Sequence, residues 1–178
     1  MIHLRPLEER DAPLMLEWMH DVEIQKSFKK KMIDATMNDA LAFIRSARPS
    51  AFIEDGMNLH FAIANCDDEY CGTISLKNVN NESKNAEYAI VIRKKAQGKG
   101  IAFQSTGLIL RKAFFEYDLH RVYLNVYSNN ERAIRLYEKS GFIYEGEFRD
   151  HFFINGHYVS LLWYGMLKQE YHEVRFKI

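Results

Sequence analysis

Two stretches of the chain hold residues whose types and spacing suit the handling of ligands. Residues 90–102 read I-V-I-R-K-K-A-Q-G-K-G-I-A: an apolar β-forming run, a basic cluster, a glycine turn and the start of a helical pattern. Gly98 and Gly100 let successive backbone N–H groups converge, and the small Ala102 lets the helix start lie close to a ligand. The result is a nest for an anion such as a pyrophosphate at a helix N-terminus. No G-K-[ST] follows, so this is not a Walker loop, and the third glycine and downstream acid of a dinucleotide fingerprint are missing. Read alone, the motif is equally a flexible strand-to-helix turn. The second stretch, residues 130–142, reads N-E-R-A-I-R-L-Y-E-K-S-G-F after a β-forming run. Asn130 suits a helix N-cap. Tyr137 is either a core aromatic or a proton donor, since a phenol with a pKa of about 10 is protonated at neutral pH. Glu87 is a carboxylate on a central strand, placed there as a base or as the partner of a cation or hydroxyl. Tyr88 and His120 are secondary candidates, with core or surface roles the simpler reading.

These groups need a scaffold. Residues 2–6 form a short strand, and Asp11 is read as the N-cap of a helix with Leu14, Trp18 and Val22 on one face. The pattern weakens over 23–33, where Phe28-Lys29-Lys30-Lys31 reads as a loop or broken helix. Thr36 and Asp39 form a capping box for a helix to about Arg48, with Leu41, Ile44 and Ala47 inward. Residues 49–58 connect to strands at 59–64 and 70–76; 78–85 is a turn-rich linker and 86–93 a further strand. Along that strand Tyr88, Ile90 and Ile92 face one side, and Glu87, Ala89 and Val91 the other. A helix at 101–117, a strand at 120–127 and a helix at 131–140 stopped by Gly141 follow. The strands at 86–93 and 120–127, joined through a helix, are expected as parallel neighbours. Asn155-Gly156 between 148–154 and 157–166 signals a type I′ hairpin turn. The order predicts an α/β fold: a mixed, mostly antiparallel sheet of six to seven strands, a central parallel pair and about four helices.

The chain has 178 residues, read as a single domain over 1–178 with enough length for a real core. Lys plus Arg and Asp plus Glu both number 24, and this balance argues against a nucleic-acid partner. No apolar run approaches the roughly 20 residues a membrane span needs, and no signal peptide is expected at the start. Cys66 and Cys71 read as free thiols of a cytoplasmic protein, with no metal site around them.

The ordered pair of motifs, Q-x-x-G-x-A at Gln97, Gly100 and Ala102 and then N-x-x-A-x-x-L-Y-x-x-x-G-F from Asn130 to Phe142, resembles the GCN5-related N-acetyltransferases. That resemblance implies acetyl-CoA as acyl donor, with no metal, and direct attack by a primary amine in a ternary complex. It implies that Ile90, Val91, Ile92 and Arg93 line the acyl arm, with backbone amides near Val91 and Ile92 as oxyanion donors. Gln97, Gly98, Lys99, Gly100, Ile101 and Ala102 would hold the pyrophosphate, and Asn130 the pantetheine side. Tyr137 would be the acid for the leaving thiolate and Glu87 the base, directly or through water.

Within the family, the L-R-P-L-x-x-x-D start, the A-E-Y strand and the F-F-I-N-G-H-Y hairpin are similar to the ribosomal-protein alanine acetyltransferases and their small-molecule relatives. The early segment is similar to amino-sugar nucleotide acetyltransferases, and the final hairpin equally to spermidine acetyltransferases. The Lys29-Lys30-Lys31 loop beside Phe28, with no acidic cluster apart from the Asp67-Asp68-Glu69 turn, favours an anionic or nucleotide-bearing acceptor such as an amino-sugar nucleotide. The alternatives are a protein N-terminal alanine or serine, spermidine, or a non-catalytic acetyl-CoA sensor. The long apolar final hairpin leaves room for a homodimer.

Overall fold

The computed structural model describes residues 1–47, 52–172 and 176. Seven strands form one sheet: β1 (His3–Pro6), β2 (Leu59–Ala64), β3 (Tyr70–Asn80), β4 (Asn85–Ile92), β5 (Arg121–Tyr127), β6 (Ile143–Ile154) and β7 (His157–Leu167), in the order β1-β2-β3-β4-β5-β7-β6. Every neighbouring pair is antiparallel except β4 and β5. That parallel pair is short. Its register runs only Asn85–Arg121, Ala86–Val122 and Glu87–Tyr123, after which the strands part.

Five α-helices lie among the described residues, one more than expected: α1 (Ala12–Met19), α2 (Val22–Gln25), α3 (Met37–Ser46), α4 (Ile101–Arg111) and α5 (Glu131–Ser140). Helices α4 and α5 pack on one face of the sheet, where Ile74, Leu76, Tyr88 and Val122 meet Leu110 and Phe142. Helices α1 and α3 cover part of the other, over Ala62, Tyr70 and Val91. The alternation along β4 therefore divides as expected between two apolar clusters.

Several local expectations change. Asp11 does not cap α1 with its side chain; it is 1% exposed and accepts two 2.8 Å bonds from the Arg5 guanidinium and one from Glu8 N. A buried carboxylate gains more from a bidentate guanidinium than from one amide. Helix α1 ends at Met19, so Val22 lies outside it and is exposed, and Ala12, Met15, Trp18 and Met19 form the buried face. Asp21 opens α2 instead, accepting from Glu23 N and Ile24 N. The Thr36–Asp39 capping box forms; Ala40 and Ile44 are buried, Leu41 only partly, and Ala47 is buried just past the helix end. The expected end at Arg48 and the start of the 49–58 connection lie outside the described residues.

Half of the asparagine-rich 78–85 segment is strand: β3 runs to Asn80 and β4 starts at Asn85, leaving four residues to turn. Beyond Arg111 the helix loosens into a π turn, Lys112–Glu116. Strand β5 starts at Arg121 rather than His120. The final hairpin turns at Asn155-Gly156 with positive φ at both residues, as a type I′ turn needs, but β6 begins earlier, at Ile143.

Candidate active site

Where β4 and β5 separate, a cleft of about 940 Å³ opens through the sheet. Its walls are Tyr88, Ala89, Ile90, Val91 and Ile92 of β4 and Asn125, Val126 and Tyr127 of β5. One end is the turn between β4 and α4. Gly98 (φ +77°) and Gly100 (φ +75°) occupy the left-handed region there, where L side chains are strained, and Gly100 immediately precedes α4. Gln97, Gly98, Gly100, Ile101 and Ala102 all line the cleft, with Ala96 and Phe103 beside them. Gln97 is held at both ends of its amide: Nε2 donates to Ile92 O at 2.9 Å, and Oε1 accepts from Arg132 of α5.

Helix α5 supplies a side wall through Arg132, Ala133, Leu136, Tyr137 and Lys139. Asn130 caps it, accepting from Ala133 N at 3.2 Å, and its amide reaches Ser27 Oγ at 3.1 Å on the opposite rim. Tyr137 is 8% exposed, and burial pushes its phenol up to about 12. Tyr88 donates or accepts at Thr106 Oγ1, 2.8 Å away, and burial drives its pKa far above the ordinary phenol value. These two tyrosines and Phe142 form a ring cluster under the cleft.

At the other end Glu87 lines the floor, its side chain 18% exposed. Its carboxylate accepts from Lys77 Nζ (3.2 Å), Asn78 Nδ2 (2.9 Å) and Asn125 Nδ2 (3.4 Å). The rim above is the segment after α2, with Ser27, Phe28, Lys29, Lys30 and Met32. That segment is ordered by specific contacts: Phe28 stacks on Trp18 at 5.5 Å, and the buried Gln25 accepts from Met32 N at 2.8 Å. Lys31 Nζ donates to Gln25 O and Phe28 O, so it fastens the segment, while Lys29 lies over the Phe152 ring.

Of the thirteen residues given a donor-binding or catalytic role from the sequence, eleven border one cleft, as does the secondary candidate Tyr88. Arg93 and Lys99 are not on its lining. The Arg93 side chain is 4% exposed and turned away into Glu17 and Glu69. His120 is also off the lining; its backbone N–H donates to Lys84 O. Sequence reasoning missed Lys77, Asn125, Arg132 and Lys139. Lys77 and Asn125 share the sheet face of Glu87 through the strand alternation, a signal that needed the strand register to be read. Among the described residues no group of His, Cys, Asp and Glu could hold a metal ion, and no helix is long and apolar enough to cross a membrane.

A sheet opened at one short parallel pair, with a glycine amide nest at the mouth and a buried tyrosine along the wall, has the form of a CoA-dependent acyltransferase. Residues 2–143 match the acetyltransferase (GNAT) domain, and the chain belongs to that family: it is an acetyl-CoA-dependent N-acetyltransferase. It is similar to the spermidine N(1)-acetyltransferase of Escherichia coli K12, 32% identical over 96% of this chain and 88% of that protein. A Bacillus subtilis protein whose name assigns it provisionally to ribosomal N-acetylation is 35% identical over 59% of this chain and 57% of its own length. The crystal structure of the Vibrio cholerae spermidine N-acetyltransferase in complex with CoA and spermine superposes with a TM-score of 0.83, at 26% identity, over 96% of this chain and 97% of that one.

Proposed function

We propose that this chain, acting as one domain, moves the acetyl group of acetyl-CoA directly to a primary amine of a small molecule, with spermidine or a related polyamine as acceptor. The continuous cleft from the Gly98–Gly100 turn past Tyr137 to Glu87 carries this reading, because donor and acceptor must meet in one space. Spermidine enters from the names of the relatives, which lend no support to the amino-sugar nucleotide favoured from the sequence.

In this reading the amides of residues 97–102 hold the pyrophosphate, and the acyl arm lies between β4 and β5. Backbone N–H groups near Val91 and Ile92 face the carbonyl oxygen as it gains charge. The neutral amine's lone pair forms the N–C bond, the C–S bond breaks, and the sulfur leaves with the electron pair. The amine's proton passes to Glu87 through water, because that carboxylate already accepts three hydrogen bonds. Tyr137 donates a hydrogen bond to the leaving sulfur. With its pKa near 12, against about 8.5 for an ordinary thiol, stabilising the thiolate is its main contribution and full proton transfer is uphill.

A second reading has an observation of its own. The acceptor side of the cleft holds Lys29, Lys30 and Lys77 against Glu23 and Glu87, a poor lining for a polycation and a good one for an amine that also carries a carboxylate or phosphate. The test is release of free CoA thiol from acetyl-CoA with spermidine, an amino-sugar nucleotide and an alanine- or serine-starting peptide in turn. Turnover of spermidine supports the first reading. Turnover only of anionic amines supports the second, and CoA binding with no turnover would make the chain a sensor.

A further inference from the structure

Arg93 belongs to the basic cluster at the end of β4, one residue before the turn Lys94–Ala96 that leads into the glycines, yet its side chain points away from the cleft. Its guanidinium donates through Nε (3.0 Å) and Nη2 (2.9 Å) to Glu17 Oε2 on α1, and through Nη1 to Glu69 Oε1 (2.6 Å) in the β2–β3 turn and Tyr70 O (2.7 Å) at the start of β3. Its backbone is fixed as well: Arg93 N donates to Cys71 O and Arg93 O accepts from Ala96 N, both at 2.9 Å. The neighbouring lysines lean the same way, Lys95 toward Glu17 at 3.8 Å and Lys94 toward Asp21 at 3.7 Å.

We infer that Arg93 is a positioning residue for the donor's pyrophosphate, acting through the turn it anchors. The inference rests on the proposed placement of the pyrophosphate on residues 97–102. Two physical effects combine. The forked guanidinium ties the strand–turn junction to α1 and to the β2–β3 turn, so the amides converge before the ligand arrives. It also neutralises Glu17 and Glu69, two carboxylates that would otherwise repel a polyanion entering the turn. The basic cluster thus serves the anion from behind, leaving direct contact to backbone N–H groups.

The test compares two donors, acetyl-CoA and S-acetyl-pantetheine, which lacks the pyrophosphate and adenosine. Arg93→Met is expected to raise the KM for acetyl-CoA roughly tenfold or more, with kcat within about twofold and the KM for acetyl-pantetheine unchanged. Arg93→Lys, which keeps the charge and loses the fork, is expected to fall between wild type and Arg93→Met. Should Arg93→Met fail to fold, Arg93→Lys alone carries the test, with a smaller rise in the KM for acetyl-CoA and none in the KM for acetyl-pantetheine. Equal KM changes for both donors, or no change for either, would overturn the inference. Wild-type protein that uses acetyl-pantetheine as well as acetyl-CoA would overturn the pyrophosphate placement itself, and the role of Arg93 with it.

Discussion

The rings of Tyr88 and Tyr137 meet edge to face, with centroids 5.9 Å apart and planes at 86°, so a strand residue fixes the orientation of a helix residue across the cleft wall. The Tyr88 hydroxyl is tied to Thr106 of α4, and burial raises the pKa of both phenols. The edge contact leaves the Tyr137 side chain lining the cleft while its ring is packed between Tyr88 and Phe142.

Tyr137→Phe should keep this packing and lose only the hydroxyl. A hydrogen bond to a charged group contributes about 1.5–3 kcal/mol, so kcat should fall roughly 10- to 100-fold, with the acetyl-CoA dissociation constant unchanged by calorimetry. With the phenol at about 12, Tyr137 stays protonated through the alkaline working range. Activity should therefore rise with pH as the amine acceptor loses its proton, with no decline from this residue up to about pH 11. A wild-type decline near pH 9 that disappears in Tyr137→Phe would contradict this.

Two glycine-to-alanine changes should separate structure from ligand binding. A Cβ on Gly72 would stand 2.1 Å from the Val91 carbonyl oxygen, so β3 and β4 would have to part. Gly72→Ala should cost about 3 kcal/mol or more and show as a large fall in melting temperature. A Cβ on Gly98 meets nothing within 4 Å, but φ is +77° there. Gly98→Ala should cost about 1–2 kcal/mol of backbone strain and weaken acetyl-CoA more than it lowers the melting temperature. The reverse order of effects would count against the turn as the anion nest.

His60 gives the chain an acid sensitivity. Burial, and then the charge of Lys77, pull its pKa down to about 4, and Ser75 Oγ lies 2.7 Å from Nδ1. In the unfolded chain the ring titrates near the ordinary value of about 6.5. Between those values the unfolded state binds a proton that the folded state does not, so stability is full above pH 6.5 and falls as pH drops toward 4. His60→Phe should lower the melting temperature at pH 7 by orphaning Ser75, but flatten its decline between pH 7 and pH 5. An unchanged slope would dismiss His60 as the cause.

Lys77→Met separates the two acceptor readings. It removes a cation from the cleft floor and leaves Glu87 with its two amide donors. The KM for a polyamine should stay level or fall, whereas the KM for an anionic amine should rise several-fold. Parallel changes for both acceptor classes would mean that Lys77 does no more than support Glu87.

The donor side of the cleft was legible from the chain because its determinants are local. The glycine turn, the Asn130 cap and the Tyr137 helix are contiguous motifs, and backbone chemistry fixes their shape wherever they occur. The acceptor side was not. Lys77, Asn125 and Glu87 come from three strands and meet only through register, while Phe28 and Lys29 depend on Trp18, Gln25 and Phe152 for their places. Arg93 illustrates the same limit within a motif. Its neighbours in sequence suggest a phosphate, and its neighbours in space are carboxylates. Val22 falls outside its expected helix, and Asp11 holds the N-cap position without capping, because a helix break at Met19 and a buried guanidinium have no signature in residue spacing.

The parallel pairing of β4 and β5 lasts only three residues. Beyond Glu87, the backbone amides and carbonyls of each strand that point toward the other have lost their neighbour, and such groups are costly to leave unmatched. An acyl-donor arm that carries amides of its own can serve there as an interposed rung, completing a ladder the polypeptide leaves unfinished. The donor is then a structural member as well as a reactant. A hundredfold excess over its dissociation constant would add about 2.7 kcal/mol to the folded state, so this enzyme's heat resistance should follow its acetyl-CoA supply.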